Sequence, residues 1–203
     1  MKGKVLDERA ADRIKGAAKE IFLAKGYDGA TMQVIADLAG VNKAQLHYYF
    51  RSKDSLFMMV FREEFQAFLQ TKIGILRDEK LGLREKLELW IDAQGAFLSA
   101  QPQLPLFIVT EINRNPGLIQ GLMAEMKLQL LAGLLGNLGK DPAMKDSGVT
   151  LEELMTMMVS LLVFPLIAAP MFQLLLGLSP EGWTRVQMRQ SELAKELIRR
   201  YLP

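Results

Sequence analysis

The 203-residue sequence predicts an all-α protein of about nine helices, on three observations. Apolar residues recur at intervals of three and four, as in Ile14, Ala18, Ile21 and Phe22, which is the spacing of one helix face. No segment alternates apolar and polar residues with the period of two that a strand requires. Glycine, proline and capping residues divide the chain into pieces of helical length, without internal repeats.

Capping residues locate the individual helices. Thr31, Asn42 and Ser52 can each accept a hydrogen bond from a helix's first amides, so they are the expected N-caps of the second, third and fourth helices. Gly26 and Gly40 are placed to end the first and second helices, because glycine adopts the left-handed conformation without strain. The predicted helices are 7–25, 32–38, 43–49, 53–77, 83–100, 104–113, 116–138, 150–176 and 180–201, with a polar break over 139–148.

The composition argues against an enzyme. The chain has no cysteine, which excludes disulfides, thiolate nucleophiles and cysteine-ligated metals. Its one histidine is not part of a His-Glu-x-x-His pair, so neither a nucleophile with its base nor a metal cluster is expected. We therefore expect no catalysis, no cofactor and no metal. The N-terminus lacks the apolar stretch of a signal peptide, which together with the missing cysteines predicts a cytoplasmic protein.

Residues 32–51 have the pattern of a helix-turn-helix. Ile35, Ala39, Val41 and Leu46 fall where two steeply crossing helices must be apolar, and the small Ala36 allows them to approach closely. In this motif the second helix enters a DNA major groove and addresses base edges with residues near its N-terminus. Residues 1–60 also carry 10 Lys and Arg against 7 Asp and Glu, a net charge of +3 that agrees with a polyanionic partner.

The polar side chains of the third helix are predicted to point outward. With Leu46 directed inward on a helical wheel, Ala44, Gln45, His47 and Tyr48 lie on the opposite side. Nothing in core packing requires polar groups there, so we interpret this face as the DNA-reading surface.

Each candidate contact has a chemical reason. Lys43 and Gln45 can hydrogen-bond guanine and adenine edges, and Ala44 can touch a thymine methyl group. A cation in the first turn of the fourth helix opposes the helix dipole by roughly 0.3–1 kcal/mol, a penalty that a bound phosphate would reverse. The expected phosphate contacts are the side chains of Thr31, His47, Tyr48 and Lys53.

The stretch FLAKGYDGATMQVIADLAGVNKAQLHYYFRSKDSL of residues 22–56 resembles the signature of the TetR family of bacterial repressors. That signature usually reads G-Y-x3-T, then I-A-x2-A-G-V, then L-Y-Y-H/Y-F-x-S-K-x2-L, and the resemblance covers residues 9–57. Ala44, Gln45 and His47 depart from the usual glycine, Ser or Thr, and tyrosine. They lie on the outward face, so they bear on the operator sequence. The resemblance implies DNA contacts by Thr31, Lys43, Gln45, His47, Tyr48, Tyr49 and Lys53.

The resemblance also implies the domain organisation. Residues 1–57 would form a three-helix DNA-binding domain, joined by the long fourth helix to an effector-binding and dimerisation domain over 58–203. The last two helices would pack against their copies in a homodimer. The apolar stripe expected at that interface consists of Val186, Leu193, Ala194, Leu197 and Ile198.

A membrane span is the rival interpretation of residues 159–178, which carry no charge over twenty positions. Pro165, Pro170 and Gln173 interrupt the stretch and no basic cluster flanks it, so a buried interface helix is favoured. Interior prolines destabilise a helix by about 3 kcal/mol, and we expect these two to kink or split the eighth helix.

Large apolar side chains in the C-terminal region are candidates for an effector pocket, although core packing is the simpler interpretation of any one of them. Glu111, Arg114 and Asp92 could orient a polar group of the ligand. The resemblance implies a repressor that a small, largely apolar ligand releases from a palindromic operator; an architectural DNA-binding dimer without an effector is the alternative. The candidate pocket residues are Phe65, Phe68, Leu69, Trp90, Phe97, Phe107, Met123, Met126, Met155, Met158 and Phe172.

Overall fold

A computed structural model of the protein describes residues 2–130 and 141–202. These residues contain eleven helices and no strand, so the all-helical prediction is confirmed with two helices more than expected. The helices are α1 (Lys2–Gly29), α2 (Met32–Ala39), α3 (Lys43–Tyr49), α4 (Lys53–Arg77), α5 (Leu83–Ala100), α6 (Leu104–Arg114), α7 (Pro116–Leu130), α8 (Pro142–Ser147), α9 (Leu151–Ile167), α10 (Ala169–Leu176) and α11 (Pro180–Tyr201).

The two additional helices lie in the C-terminal half. The predicted helix over 150–176 is divided at Ala168 into α9 and α10, with Pro165 inside α9 and Pro170 in the first turn of α10. The split therefore agrees with the expectation from the two prolines. The expected break over 139–148 is wrong in part, because Asp141 accepts a hydrogen bond from the amide of Ala143 and caps the short helix α8. Residues 131–138 of the predicted seventh helix lie outside the described residues.

The chain forms two compact units, the first made of Met1–Gln66 and Phe107–Met123. Its core contains α1 packed on α2, and a set of aromatic rings around Phe57. The Phe57 ring meets Phe22 edge to face at 5.1 Å between centroids, and Phe107 of α6 at 6.0 Å. Part of α6 and α7 thus packs into the same core as the helix-turn-helix. Further ring contacts in this core include Phe61 with Phe107 and Tyr27 with Phe57.

The second unit consists of Ala67–Leu106 and Ala124–Pro203. Here α5 packs against α9 and α11, and an ion pair joins Arg199 of α11 to Glu88 of α5 through two hydrogen bonds of 2.9 and 2.7 Å. These units do not follow the boundary predicted after residue 57, so the functional division into 1–57 and 58–203 stays a prediction. The described core comprises Leu76, Leu83, Leu87, Trp90, Ile91, Met144, Leu154, Met158, Leu162, Ala194, Ile198 and Leu202.

The uncharged stretch around α9 and α10 does not form one continuous helix. Within residues 2–130 and 141–202, no helix is both long and apolar enough to cross a bilayer by itself. Leu151–Ile167 and Ala169–Leu176 reach that composition only as a pair, and the chain bends by 69° between them.

Candidate nucleic-acid interface

The helix-turn-helix begins with a capped α2. Thr31 has extended backbone angles, and its Oγ1 accepts a hydrogen bond from the amide of Val34 at 3.2 Å, as predicted. Ile35 and Ala36 are fully buried, so this helix presents its apolar side to the core of the first unit. The Thr31 hydroxyl still has its own hydrogen to donate, which leaves it able to bind a phosphate oxygen while it caps α2.

The turn between α2 and α3 depends on Gly40. This residue has φ 64° and ψ 38°, the left-handed conformation expected from the sequence. The Gly40 amide donates to the carbonyl of Asp37 at 3.2 Å and the Val41 amide to that of Ala36 at 3.0 Å, which is a Schellman motif. Arg13 of α1 adds a hydrogen bond from its Nε to the carbonyl of Ala39, so the last turn of α2 is held from two sides.

The outward face of α3 is solvent-exposed. Asn42 caps this helix by accepting a hydrogen bond from the Gln45 amide at 2.7 Å, and Leu46 is fully buried beneath it. Tyr48 is 75% exposed although it is one of the largest side chains in the protein. Lys43, Ala44 and His47 are also exposed, whereas Gln45 and Tyr49 are half-buried. The predicted outward orientation is therefore confirmed for Ala44, His47 and Tyr48, whereas Gln45 is only partly exposed.

Tyr49 differs from its neighbour in having a packing role. Its ring meets that of Tyr48 edge to face, with centroids 5.2 Å apart. Aromatic pairs of this geometry stabilise each other's orientation by about 0.5–1.5 kcal/mol. Tyr49 thus supports the exposed Tyr48 ring, in addition to the contact role that the resemblance implies for it.

Lys53, predicted as a phosphate contact, already has partners within its own chain. Its Nζ donates to the carbonyl of Ala30 at 3.1 Å and lies 4.1 Å from the centroid of the Tyr27 ring. A cation over an aromatic face is attracted by the ring quadrupole. The ammonium group has three N–H donors, so it can keep these contacts and still bind a phosphate. Its place in the first turn of α4 is explained partly by intramolecular contacts.

Tyr27 is a residue whose role the sequence did not reveal. Its hydroxyl donates to Asp54 Oδ1 at 2.5 Å, and its ring packs edge to face on Phe57 at 5.0 Å. The hydrogen bond to Asp54, then burial and the negative charge of Asp54, raise the pKa of Tyr27 to about 12. The signal available in the sequence was the pair of opposite charges at the start of α4, Lys53 and Asp54. Charges in such a position need polar partners. The partner itself could not be identified from spacing.

Arg51 is a second residue that sequence reasoning passed over. It is exposed in the short connection between α3 and α4, next to Ser52, which caps α4 by accepting from the Ser55 amide at 3.1 Å. A cation at the end of a reading helix is well placed to meet a phosphate. The signal available in the sequence was its charge beside a cap.

The candidate pocket residues are distributed over both units. Phe65, Phe107 and Met123 belong to the first unit, and the side chain of Met126 lies outside the described residues. In the second unit, Trp90 and Met158 are core residues and Met155 packs against them. The remaining members form ring pairs or stay half-buried: Phe68 with Phe97 at 5.7 Å, Phe172 stacked on Trp183 at 5.5 Å, and Leu69.

A half-open cavity of about 470 Å³ lies within the second unit, between α5, α9 and α11. None of the predicted pocket residues lines it. Asp92, one of the candidate orienting groups, does line it, and its carboxylate also pairs with Lys195 at 2.5 Å. The other predicted orienting groups, Glu111 and Arg114, belong to the first unit. The apolar lining includes Leu161, Leu162, Pro165, Leu166 and Met188.

The stripe predicted for a subunit interface is partly used inside the chain. Ala194 and Ile198 are 1% and 0% exposed and belong to the core of the second unit. Their assignment to an interface is corrected, because a side chain already enclosed by its own fold has no surface to offer a partner. Leu193 is 43% exposed, while Val186 and Leu197 are half-buried. Exposed large apolar residues nearby include Val159, Phe164 and Met188.

Comparison with known proteins finds a family match around the helix-turn-helix and relatives over longer parts of the chain. Residues 14–59 match the family of bacterial regulatory proteins, tetR family. The chain is 31% identical over 132 residues to the HTH-type transcriptional repressor NicS of Pseudomonas putida, covering 64% of this chain and 58% of NicS. It is 41% identical over 116 residues to the HTH-type transcriptional regulator RutR of Escherichia coli, covering 56% and 53%. The match spans little more than half the length of these relatives.

Solved structures show that the whole fold recurs. The regulator FadR from Bacillus subtilis, crystallised in complex with stearoyl-CoA, superposes with a TM-score of 0.64 at 20% identity, covering 90% of this chain and 96% of FadR. A TetR family transcription regulator from Marinobacter aquaeolei has the same TM-score at 17% identity, with 97% of each chain covered. All of these relatives are described as regulators, which agrees with the expectation that the protein is not an enzyme.

Proposed function

We propose that this chain, whose residues 14–59 match the tetR family of bacterial regulatory proteins, is a member of that family and a sequence-specific DNA-binding transcriptional regulator. It acts as a homodimeric repressor that binds a palindromic operator and is released by a small, largely apolar ligand. It works in the cytoplasm, where it meets chromosomal DNA.

One observation supports the proposal of DNA binding: α3 has an exposed polar face opposite a fully buried apolar side chain. Leu46 anchors the helix, while Tyr48 keeps 75% of its surface in solvent on the opposite side. A helix that packing alone had shaped would not hold a large aromatic ring outward. Lys43, the first residue of α3, and Gln45, two residues further along, are at the N-terminal positions that address base edges in this motif. These residues remain proposed DNA contacts, with Ala44, His47, Tyr49, Thr31 and Lys53.

Homodimerisation is proposed because a palindromic operator offers two equivalent half-sites. Two α3 helices reach successive major grooves of a palindrome when they stand about 34–36 Å apart. The proposed subunit contact uses exposed apolar side chains of α9 and α11, including Val159, Met188 and Leu193. Apolar side chains exposed together on neighbouring helices are typical of a surface that a partner covers.

The effector is proposed to bind in the second unit. Gln94 of α5 is 1% exposed, and within the described part of the chain neither of its amide atoms has a hydrogen-bond partner. A buried amide left in this state is unfavourable by about 1–3 kcal/mol, so a polar ligand group that reached it would bind favourably. The cavity of about 470 Å³ is large enough for a drug-sized molecule. FadR binds an acyl-CoA, which makes long acyl thioesters the first ligands to try.

The test begins with selection of DNA fragments from a random duplex pool by the full-length protein, followed by titration of the selected operator. We expect a palindromic consensus, one dimer per site, and an affinity that falls steeply with salt as condensed counterions are released. If the protein selects no preferred DNA sequence, the assignment as a sequence-specific regulator is refuted.

Release is tested by adding stearoyl-CoA or shorter acyl thioesters to the preformed complex. A ligand can shift the equilibrium only through its different affinity for the two dimer shapes, typically 1–3 kcal/mol. Two variants distinguish the proposed contact regions, which are the cavity and the buried amide. Ala96→Trp fills the cavity, and Gln94→Leu removes the amide. If none of these ligands alters operator affinity, an architectural DNA-binding dimer without an effector becomes the better description.

A further inference from the structure

Glu111 of α6 is a buried carboxylate that the DNA-reading surface does not explain. It is 1% exposed, and both of its oxygens accept hydrogen bonds. Oε1 accepts from the backbone amide of Tyr27 at 3.0 Å, and Oε2 accepts from Nδ2 of Asn115 at 2.8 Å. Burying a carboxylate is unfavourable unless such bonds compensate for lost water. Any role of Glu111 beyond packing would act through the groups that donate these bonds.

The turn at Gly26 is shaped to receive this carboxylate. Gly26 has φ 68° and ψ −178°, a combination that essentially only glycine adopts. A Cβ atom at this position would lie 2.7 Å from Glu111 Oε1. The turn thus directs the Tyr27 amide at the carboxylate and leaves no room for a side chain between them.

Tyr27 links Glu111 to both ends of the helix-turn-helix. Its hydroxyl bonds to Asp54 in the first turn of α4, directly after α3. Its ring lies beneath the Lys53 ammonium, which donates to the carbonyl of Ala30, the residue before the N-cap of α2. The α2–α3 pair is therefore tied at its beginning and its end to one tyrosine, and that tyrosine is tied to Glu111.

We propose that Glu111 is a positioning residue for DNA binding, whose carboxylate holds the Gly26–Tyr27 turn so that α2 and α3 present their reading face in the productive orientation. The proposal rests on the DNA-binding function proposed above. It adds that α6 belongs to the machinery that sets operator affinity, although no residue of α6 needs to touch DNA.

The test compares operator binding by the full-length wild type, Glu111→Ala and the double exchange Glu111→Gln with Asn115→Asp. The operator is the one that the wild type selects, and binding is titrated at several salt concentrations with the folded fraction measured separately. Glu111→Ala should weaken binding by about ten-fold or more, since a charge-assisted hydrogen bond to the turn is lost. The dependence on salt should stay unchanged because no phosphate contact is removed.

The double exchange is the rescue. It keeps an acceptor for the Tyr27 amide and a carboxylate–amide bond between the two α6 side chains, with donor and acceptor reversed. Operator affinity should return to within about three-fold of the wild type. If Glu111→Ala does not fold, the isosteric Glu111→Gln carries the test, with an expected loss of about five-fold because one of the two bonds is retained.

Glu64→Ala is the matched control. Glu64 is also a buried carboxylate of the first unit, 7% exposed and paired with Lys19 at 2.7 Å. It should lower stability yet leave the affinity of the folded molecules intact. Equal losses in Glu64→Ala and Glu111→Ala, or wild-type affinity in Glu111→Ala, would overturn the positioning role. A wild type that selects no DNA would refute the underlying function instead.

Discussion

At the scale of single residues, the first unit separates side chains that face solvent from side chains that hold them in place. Tyr48 is exposed and available, while Tyr49 packs on its ring. Lys53 belongs to both groups, because its ammonium contacts the Tyr27 ring and the Ala30 carbonyl and still has a donor to spare. Substitutions at these positions should therefore affect DNA binding in different ways.

Gln45→Ala and Tyr48→Ala should separate base reading from phosphate binding. Gln45→Ala should change which operator sequence is preferred by about 1–3 kcal/mol at one base pair, because a bidentate contact to adenine is lost. Tyr48→Ala should weaken binding to all sequences alike. Selection of preferred sites by each variant measures the first effect and titration on unrelated duplexes the second. An unchanged consensus for Gln45→Ala would remove it from the base-reading set.

Tyr27 should be recognisable in an alkaline titration. Its pKa is raised from 10.0 to about 12 by the hydrogen bond to Asp54, so one of the four tyrosines should ionise late in the ultraviolet titration. The folded pKa lies above the unfolded one, so the stabilisation is complete below pH 10 and is lost as the pH rises toward 12. Tyr27→Phe should abolish the late step, whereas Tyr48→Phe should leave it in place. A late step that survives in Tyr27→Phe would contradict the assignment.

At the scale of helices and turns, local hydrogen bonds determine where most elements begin. Thr31, Asn42, Thr150 and Ser179 each accept a hydrogen bond from an amide two or three residues inside a helix. Such bonds connect near neighbours, so the sequence predicts those at Thr31 and Asn42 reliably. The two glycine turns of the first unit both have positive φ, but they differ in ψ and in what surrounds them.

Gly26→Ala should destabilise the protein more than Gly40→Ala. An alanine at Gly40 meets open space and bears only the strain of the left-handed conformation, about 1–2 kcal/mol. An alanine at Gly26 adopts angles nearly exclusive to glycine and also collides with Glu111, so its loss should exceed about 3 kcal/mol. Chemical denaturation of both variants measures the difference. Equal losses would show that the turn relaxes away from the carboxylate.

At the scale of the whole molecule, apolar surface that the single chain leaves exposed is concentrated in the C-terminal helices. Phe164, Leu174, Leu175 and Met188 are each more than half exposed. A monomeric protein seldom leaves large apolar side chains clustered in water, so this surface supports the proposed homodimer. Ala194 and Ile198 are excluded from it because they complete the core of the second unit.

Leu193→Glu should disrupt the proposed dimer. Leu193 is 43% exposed on α11, and a charge there would have to be desolvated at the subunit contact. Sedimentation equilibrium should show a monomer, and operator affinity should fall because two reading helices are no longer linked. Leu89→Glu serves as the control, since Leu89 has a similar exposure of 41% on α5. If Leu193→Glu remains a dimer, the subunit interface must lie elsewhere.

The sequence by itself determined the helical class, the caps at Thr31, Asn42 and Ser52, the turn at Gly40 and the outward direction of most polar α3 side chains. All of these depend on residues within a few positions of one another, where helix geometry leaves few choices. Only the tertiary structure decided which distant groups meet: Glu111 with the Tyr27 amide 84 positions away, Lys53 with the Tyr27 ring, and Ala194 and Ile198 with their own core. An apolar stripe or a buried carboxylate requires a partner, but the sequence does not specify which one. Many segments could supply it, and only the folded chain selects among them.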